Sequence, residues 1–135
     1  MKHQLGMKLM NVLAVAAAIL TFDLIWLHLR APMYRKMVYK VQGSPLKLRA
    51  RWGAVAYVLM IASILIFSGP LADGHIGKAT AYGGALGFVV YGIYNATNLA
   101  TLTNFDPRVA VIDTIWGTAL FAIATVVYVL VQRKK

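Results

Sequence analysis

Four stretches of the chain are dominated by apolar residues, 9–29, 52–68, 79–102 and 109–131, and polar residues gather in the gaps between them. A membrane-crossing helix takes about 20 mostly apolar residues, so each stretch can span, the second only just. None shows the two-residue alternation of a membrane β-strand, so the pattern predicts helices. The expected fold is all-α: an integral membrane, four-transmembrane-helix up-down bundle forming one domain over 1–135. Ser68-Gly69-Pro70 is expected to stop the second helix, and Asp73-Gly74 marks a turn. Asp106 is a natural N-cap for the fourth helix, with Pro107 at its first position. The longest gap, 30–51, reads as a basic loop or as a short helix lying on the membrane surface, carrying Pro32, Tyr34, Met37, Tyr39 and Val41. The first run continues through Ile25, Trp26 and Leu27, beyond the core length of a signal peptide, so it is expected to remain as a membrane helix.

Composition strengthens this picture. Of the 135 residues, 60% are hydrophobic and 13% charged, against about 25% charged in a typical soluble domain. A small soluble protein exposes much surface per unit volume and needs more polar cover than that. With no Cys, disulfides, thiolate metal sites and a Cys nucleophile are excluded. The four acids are all Asp, against 14 Lys plus Arg, for a net charge of +10. Seven of those 14 bases lie in the long gap: Arg30, Arg35, Lys36, Lys40, Lys47, Arg49 and Arg51. Bases beside apolar runs set topology and attract anionic headgroups. The expected partners are therefore membrane lipids, with anionic headgroups at 30–51, and not nucleic acid, whose binders spread bases and aromatics over a folded face. The expected location is multi-pass in a bacterial inner membrane. The side of the first loop carries eight bases against six on the side of the termini, which favours a cytoplasmic first loop.

The informative residues are those that do not belong in hydrocarbon. Asp23 and Asp113 sit inside apolar runs, where an Asp costs about 2.5–3.5 kcal/mol at a helix centre. Such groups face protein or water and have partners. Up-down connectivity brings the end of the first helix, the end of the third and the start of the fourth to one side. The third helix ends YGIYNATNLATLTNF, in which Tyr91, Asn95 and Asn98 share a stripe and Tyr94 pairs with Asn98. Trp26 shares a face with Asp23, and Trp116 and Gly117 share one with Asp113. Arg49, Arg51 and Arg108 enter from the same side and are within reach as partners of the carboxylates or of a bound anion. Trp52 reads as an interfacial anchor and Tyr57 as a packing residue. Gly83 and Gly87 make a small-xxx-small pair, favouring tight packing within one bundle over a seam between two copies. His3, His28 and His75 are scattered and form no metal motif. No phosphate loop, nucleophile elbow or dinucleotide fingerprint is present, and the residues leave any cofactor unknown.

The segments TFDLIWLHLRAPMYRK and YGIYNATNLATLTNF…VAVIDTIWGTAL resemble a family of small bacterial membrane proteins designated domain of unknown function 2177. The resemblance runs over nearly the whole chain. It rests on Asp23-Leu24-x-Trp26, Tyr34-Arg35, Tyr94-x-x-Thr97-Asn98-Leu99-Ala100-Thr101 and Asp113-x-x-Trp116-Gly117. It implies four membrane helices and no defined activity. Asn95 stands where the family pattern has Asp, and Thr103 where it has Lys, as if an ion pair had been exchanged for neutral partners.

The function expected from these residues is binding of a polar or anionic small molecule, or a lipid headgroup, in an intramembrane polar pocket. Asp23, Asn95, Asn98 and Asp113 would line it, Tyr91 and Tyr94 supply hydroxyls, Trp26 and Trp116 the walls, and Arg49 and Arg51 the anion contacts. The alternatives are a membrane-embedded enzyme acting on lipid, with Asp23 or Asp113 as acid or base, and a non-catalytic accessory or structural subunit, in a homo-oligomer or with a membrane-complex partner, in which the polar cluster only ties helices together.

Overall fold

The computed structural model describes the backbone of residues 2–133 and the side chains of residues 8–133. It holds four long helices and, among the described residues, no strand: α1 (Lys2–Gln42), α2 (Ala50–Leu71), α3 (Ile76–Thr101) and α4 (Pro107–Arg133). The all-helical bundle expected from the apolar pattern is what forms. Within the described residues α1, α2 and α4 are each long and apolar enough to cross a membrane. With 26 residues, about 39 Å at the usual rise, α3 is also of spanning length but carries more Gly, Tyr and Asn than the others.

The gap at 30–51 is the main correction. Its first part is neither a loop nor a separate surface helix, because α1 runs on through Pro32 to Gln42; only residues 43–49 form the loop before α2. Met33, Met37 and Val41 recur every fourth residue and, with Tyr34, cover the buried cluster of Met37, Phe105, Val109 and Ala110. That apolar stripe gives the extension a partner, while Arg35, Lys36, Tyr39 and Lys40 face outward or to its flanks. Pro32 removes one backbone donor without ending the helix. The end comes at Gly43, with φ +73° and its N–H bonded to the Tyr39 carbonyl at 2.9 Å, a left-handed cap that suits glycine.

Ser68-Gly69-Pro70 marks the end of α2 to within one residue, as expected. A π-turn over Ile64–Ser68 comes just before Pro70, and the helix continues to Leu71. Such turns admit one extra residue and change which side chains face inward; here Ile64 and Ser68 are buried. The turn expected at Asp73-Gly74 forms, with φ of 50° and 74°. Asp106 caps α4, its Oδ1 accepting the N–H of Arg108 at 2.9 Å, and Pro107 begins the helix.

Towards the termini the bundle is closely packed. Asn11, Val15 and Ile19 follow four-residue spacing down α1 and are buried. A core of Val15, Ile19, Ile64, Leu120, Phe121 and Val129 fills that half. Gly83 and Gly87 let α3 press onto α4: a Cβ on Gly83 would lie 2.5 Å from Thr125 Oγ1, and one on Gly87 would run into the Gly117 carbonyl. The small-residue pair thus serves a seam inside one chain. Thr125 donates to the Phe121 carbonyl at 2.7 Å, which leaves Ser68 as the donor in the buried Ser68–Thr125 bond of 2.8 Å. Arg133 donates to the Gly74 carbonyl at 2.8 and 3.1 Å, fastening the end of α4 to the loop between α2 and α3.

The other half is different. The first part of α2, Ala50–Ser63, packs against α1 and does not approach the backbone of α3 or α4. The bundle therefore splays open between α2 and α3 on the side of the basic α1 extension.

Candidate functional site

Both intramembrane carboxylates end in the splayed half, and each is held by two neutral donors. Asp23 Oδ2 accepts from the Tyr57 hydroxyl at 2.5 Å and Oδ1 from Trp116 Nε1 at 2.9 Å. Asp113 Oδ1 accepts from the Tyr34 hydroxyl at 2.6 Å and Oδ2 from Asn95 Nδ2 at 2.8 Å. These bonds join all four helices: α1 and α2 through Asp23–Tyr57, α1 and α4 through Asp23–Trp116 and Tyr34–Asp113, α3 and α4 through Asn95–Asp113.

The two halves of the network meet in a pair of indoles. Trp26 and Trp116 stack with centroids 4.6 Å apart and planes 2° from parallel. The Trp26 N–H donates to the Tyr34 hydroxyl at 2.9 Å. Each indole is thus carried on the helix of one carboxylate and serves the network of the other. One continuous chain runs from Tyr57 through Asp23 and Trp116, across the stack to Trp26, then through Tyr34 to Asp113 and Asn95. The Arg30 guanidinium lies 5.3 Å from the centre of the Trp26 ring, in the position of a cation–π contact.

Local sequence explains this placement. On a helix of 3.6 residues per turn, Tyr34 falls about 20° from Asp23 around the axis and Trp26 about 60° from it, so one face of α1 carries all three. Asp113 and Trp116 are one turn apart at the start of α4. Between them and Phe121 sits Gly117, whose missing Cβ makes room for the Tyr91 ring. That ring then meets Phe121 edge-on at 5.9 Å. Asn95 is buried, 3% exposed, and also donates to the Tyr91 carbonyl at 2.9 Å, using both protons of its amide.

Of the residues expected at the site, Asp23, Trp26, Tyr91, Asn95, Asp113 and Trp116 come together. Tyr94 points to the open side, 60% exposed. Asn98 is half-buried, and its side chain makes no hydrogen bond among the described residues. Arg49 and Arg51 do not reach the carboxylates: Arg49 precedes α2, and Arg51 lies over Trp52 at 5.7 Å. The arginine at the cluster is Arg30. Asp23 and Asp113 share no hydrogen-bond donor; Trp116 bonds to Asp23, Trp26 reaches Asp113 through Tyr34, and the two indoles stack. Two residues of the network were not expected there. Tyr34 was assigned to the gap and Tyr57 to packing; the signal for Tyr34 was its register with Asp23 once the helix is extended. In this chain Asn95 pairs with Asp113, and Thr103 lies beyond the end of α3.

A groove of 470 Å³ opens between α2 and α3. Ala56, Leu59, Met60 and Val90 give it apolar walls, and Ser63, Tyr91, Tyr94 and Asp113 also line it. Asp23 does not line it. No group of three or more His, Cys, Asp or Glu able to hold a metal occurs among the described residues.

Apolar helices around a buried polar chain define a multi-pass helical membrane protein. Residues 8–130 match the model of the DUF2177 family, described as a predicted membrane protein, and the chain belongs to that family. No curated protein and no solved structure matches the chain.

Proposed function

We propose that the protein holds an amphiphile in the groove between α2 and α3, with an apolar tail against Leu59, Met60 and Val90 and a hydrogen-bond-donating head on Asp113. What supports this reading is that Asp113 lines a groove whose other walls are mostly apolar, with Ser63, Tyr91 and Tyr94 as its remaining polar residues. Asp113 is an acceptor and no arginine lines the groove, so a hydroxyl or amine head fits better there than an anion. The hydroxyls of Tyr91 and Tyr94 extend the polar end. The Trp26–Trp116 stack and the four carboxylate bonds keep the acceptor in place, which lowers the ordering cost of binding. This reading puts the chain in a bacterial inner membrane, with the basic extension of α1 on the cytoplasmic side.

A second reading draws on the same network. Both carboxylates already have protein donors on both oxygens, as an accessory subunit would need if the cluster only tied helices together.

Filling the groove separates the two. Leu59→Trp and Val90→Trp place bulk at its mouth without touching the hydrogen-bonded chain. Amphiphile binding requires that a lipid co-purifying with the wild type, seen by mass spectrometry, be lost from both variants while helicity is kept. An identical lipid complement in wild type and variants leaves the accessory role standing.

A further inference from the structure

A second hollow, separate from the groove of Asp113, lies where the α1 extension meets the start of α4. Its volume is 260 Å³. Lys36 and Lys40, one turn apart on α1, and Arg108, the second residue of α4, form its rim; Met37 and Ile112 contribute an apolar floor. The acid at this hollow is Asp106, whose Oδ1 is engaged by the Arg108 N–H as the cap of α4. Three cations therefore face one carboxylate, which leaves an excess of positive charge on a cupped surface.

The position of the cup points to its ligand. Arg108 and Ile112 also line an adjoining open hollow of 500 Å³, whose lining is apolar apart from Arg108 and includes Val111. Further along α4, Val111 and Ile115 are 59% and 65% exposed, as side chains facing lipid are. An apolar track thus descends from the cationic rim along a membrane helix. A free phosphate would use only the rim, whereas a phospholipid matches both the rim and the track. We propose that this cup seats the phosphate of an anionic phospholipid, the headgroup between Lys36, Lys40 and Arg108 and an acyl chain along Val111 and Ile112. The lipid would brace the α1 extension against α4, next to the Tyr34–Asp113 bond. The site is independent of the groove, so either assignment can fail without the other.

The test uses the full chain in micelles doped with phosphatidylglycerol or phosphatidylcholine, with bound lipid counted by native mass spectrometry. Phosphatidylglycerol should be retained and phosphatidylcholine not. A basic residue near a lipid surface changes affinity about fivefold, so the combined Lys36→Gln, Lys40→Gln, Arg108→Gln variant should lose on the order of a hundredfold. Arg49→Gln with Arg51→Gln removes charge from the same side of the membrane away from the cup and should keep wild-type retention. Asp106→Asn preserves an N-cap while deleting the one negative charge, so it should raise retention about fivefold. Because this effect has the opposite sign, it cannot come from a fold that has merely weakened. The proposal is overturned if the two lipids are retained equally or if the Arg49/Arg51 pair loses as much as the triple variant. It is equally overturned if Asp106→Asn fails to strengthen binding, or if millimolar inorganic phosphate displaces the lipid, which would make the cup a site for the free anion.

Discussion

The two halves of this bundle solve the same problem by different physics. Towards the termini, helices meet through small residues and shape: Gly83 and Gly87 against α4, Ile64 and Phe121 in the core, and one buried hydroxyl pair, Ser68–Thr125. Towards the basic extension, α2 stands away from α3 and α4, and what crosses between helices is a chain of hydrogen bonds around Asp23 and Asp113. Lipid tails are as apolar as the side chains, so no hydrophobic drive pulls membrane helices together; close packing and polar bonds are what remain. The packed half uses the first. The splayed half relies on the second, and because its helices are pinned by side chains rather than by backbone approach, a groove can stay open beside them.

This contrast can be broken experimentally at several points. The largest effect is expected from Gly87→Leu. Its Cβ would meet backbone, the Gly117 carbonyl, which cannot swing aside. Overpacking of this kind costs about 3 kcal/mol or more. In unfolding by a denaturing detergent, folded protein should be largely lost; near-wild-type stability would mean that the seam is looser than described. Asp23→Ala comes next. It strands the donors of Tyr57 and Trp116, at about 1–3 kcal/mol, and should destabilise clearly more than Asp23→Asn, which keeps an acceptor. Equal losses for the two would remove hydrogen bonding as the cause.

Tyr57→Phe deletes one interhelical bond, worth about 0.6 kcal/mol in membrane proteins, yet among the described residues it releases the one side-chain hydrogen bond between the first part of α2 and another helix. The chain has no Cys, so spin labels introduced at positions 59 and 94 report on this directly: the distance distribution across the groove should widen while stability barely moves. Ser68→Ala removes a bond of similar worth in the packed half and should leave that distribution unchanged. If both widen it alike, the two halves are not mechanically distinct. The smallest change is optical. Trp26 and Trp116 stack almost in parallel, so near-ultraviolet circular dichroism should carry a coupled-indole signal, lost in Trp26→Phe and kept in Trp52→Phe.

Much of the polar cluster was legible beforehand. Asp23, Asn95 and Asp113 stand out because hydrocarbon tolerates them only with partners, and up-down connectivity sends all three to one half of the bundle. The Gly83–Gly87 pair read correctly as an internal seam. The donors to the carboxylates were the hard part. A Tyr in a membrane helix is compatible with packing, anchoring or bonding, and only the azimuth of its partner decides, as Tyr57 shows. Tyr34 was hidden because Pro32 and the run of bases suggest an interruption, and the stripe of Met33, Met37 and Val41 makes sense as helix only once Phe105 and Val109 lie opposite it.

The sequence by itself determined that the chain is helical, that it lives in a bilayer and which ionisable residues needed partners, because those follow from transfer free energies and helical periodicity, both local properties. The tertiary structure alone decided how far α1 runs, that α2 carries a π-turn just before its proline, and that the networks of the two carboxylates are linked through stacked indoles, with Asp113 lining the groove between α2 and α3. Those features depend on which faces meet across helices, and contacts between residues 93 positions apart, as Trp116 and Asp23 are, leave no periodic mark on the chain.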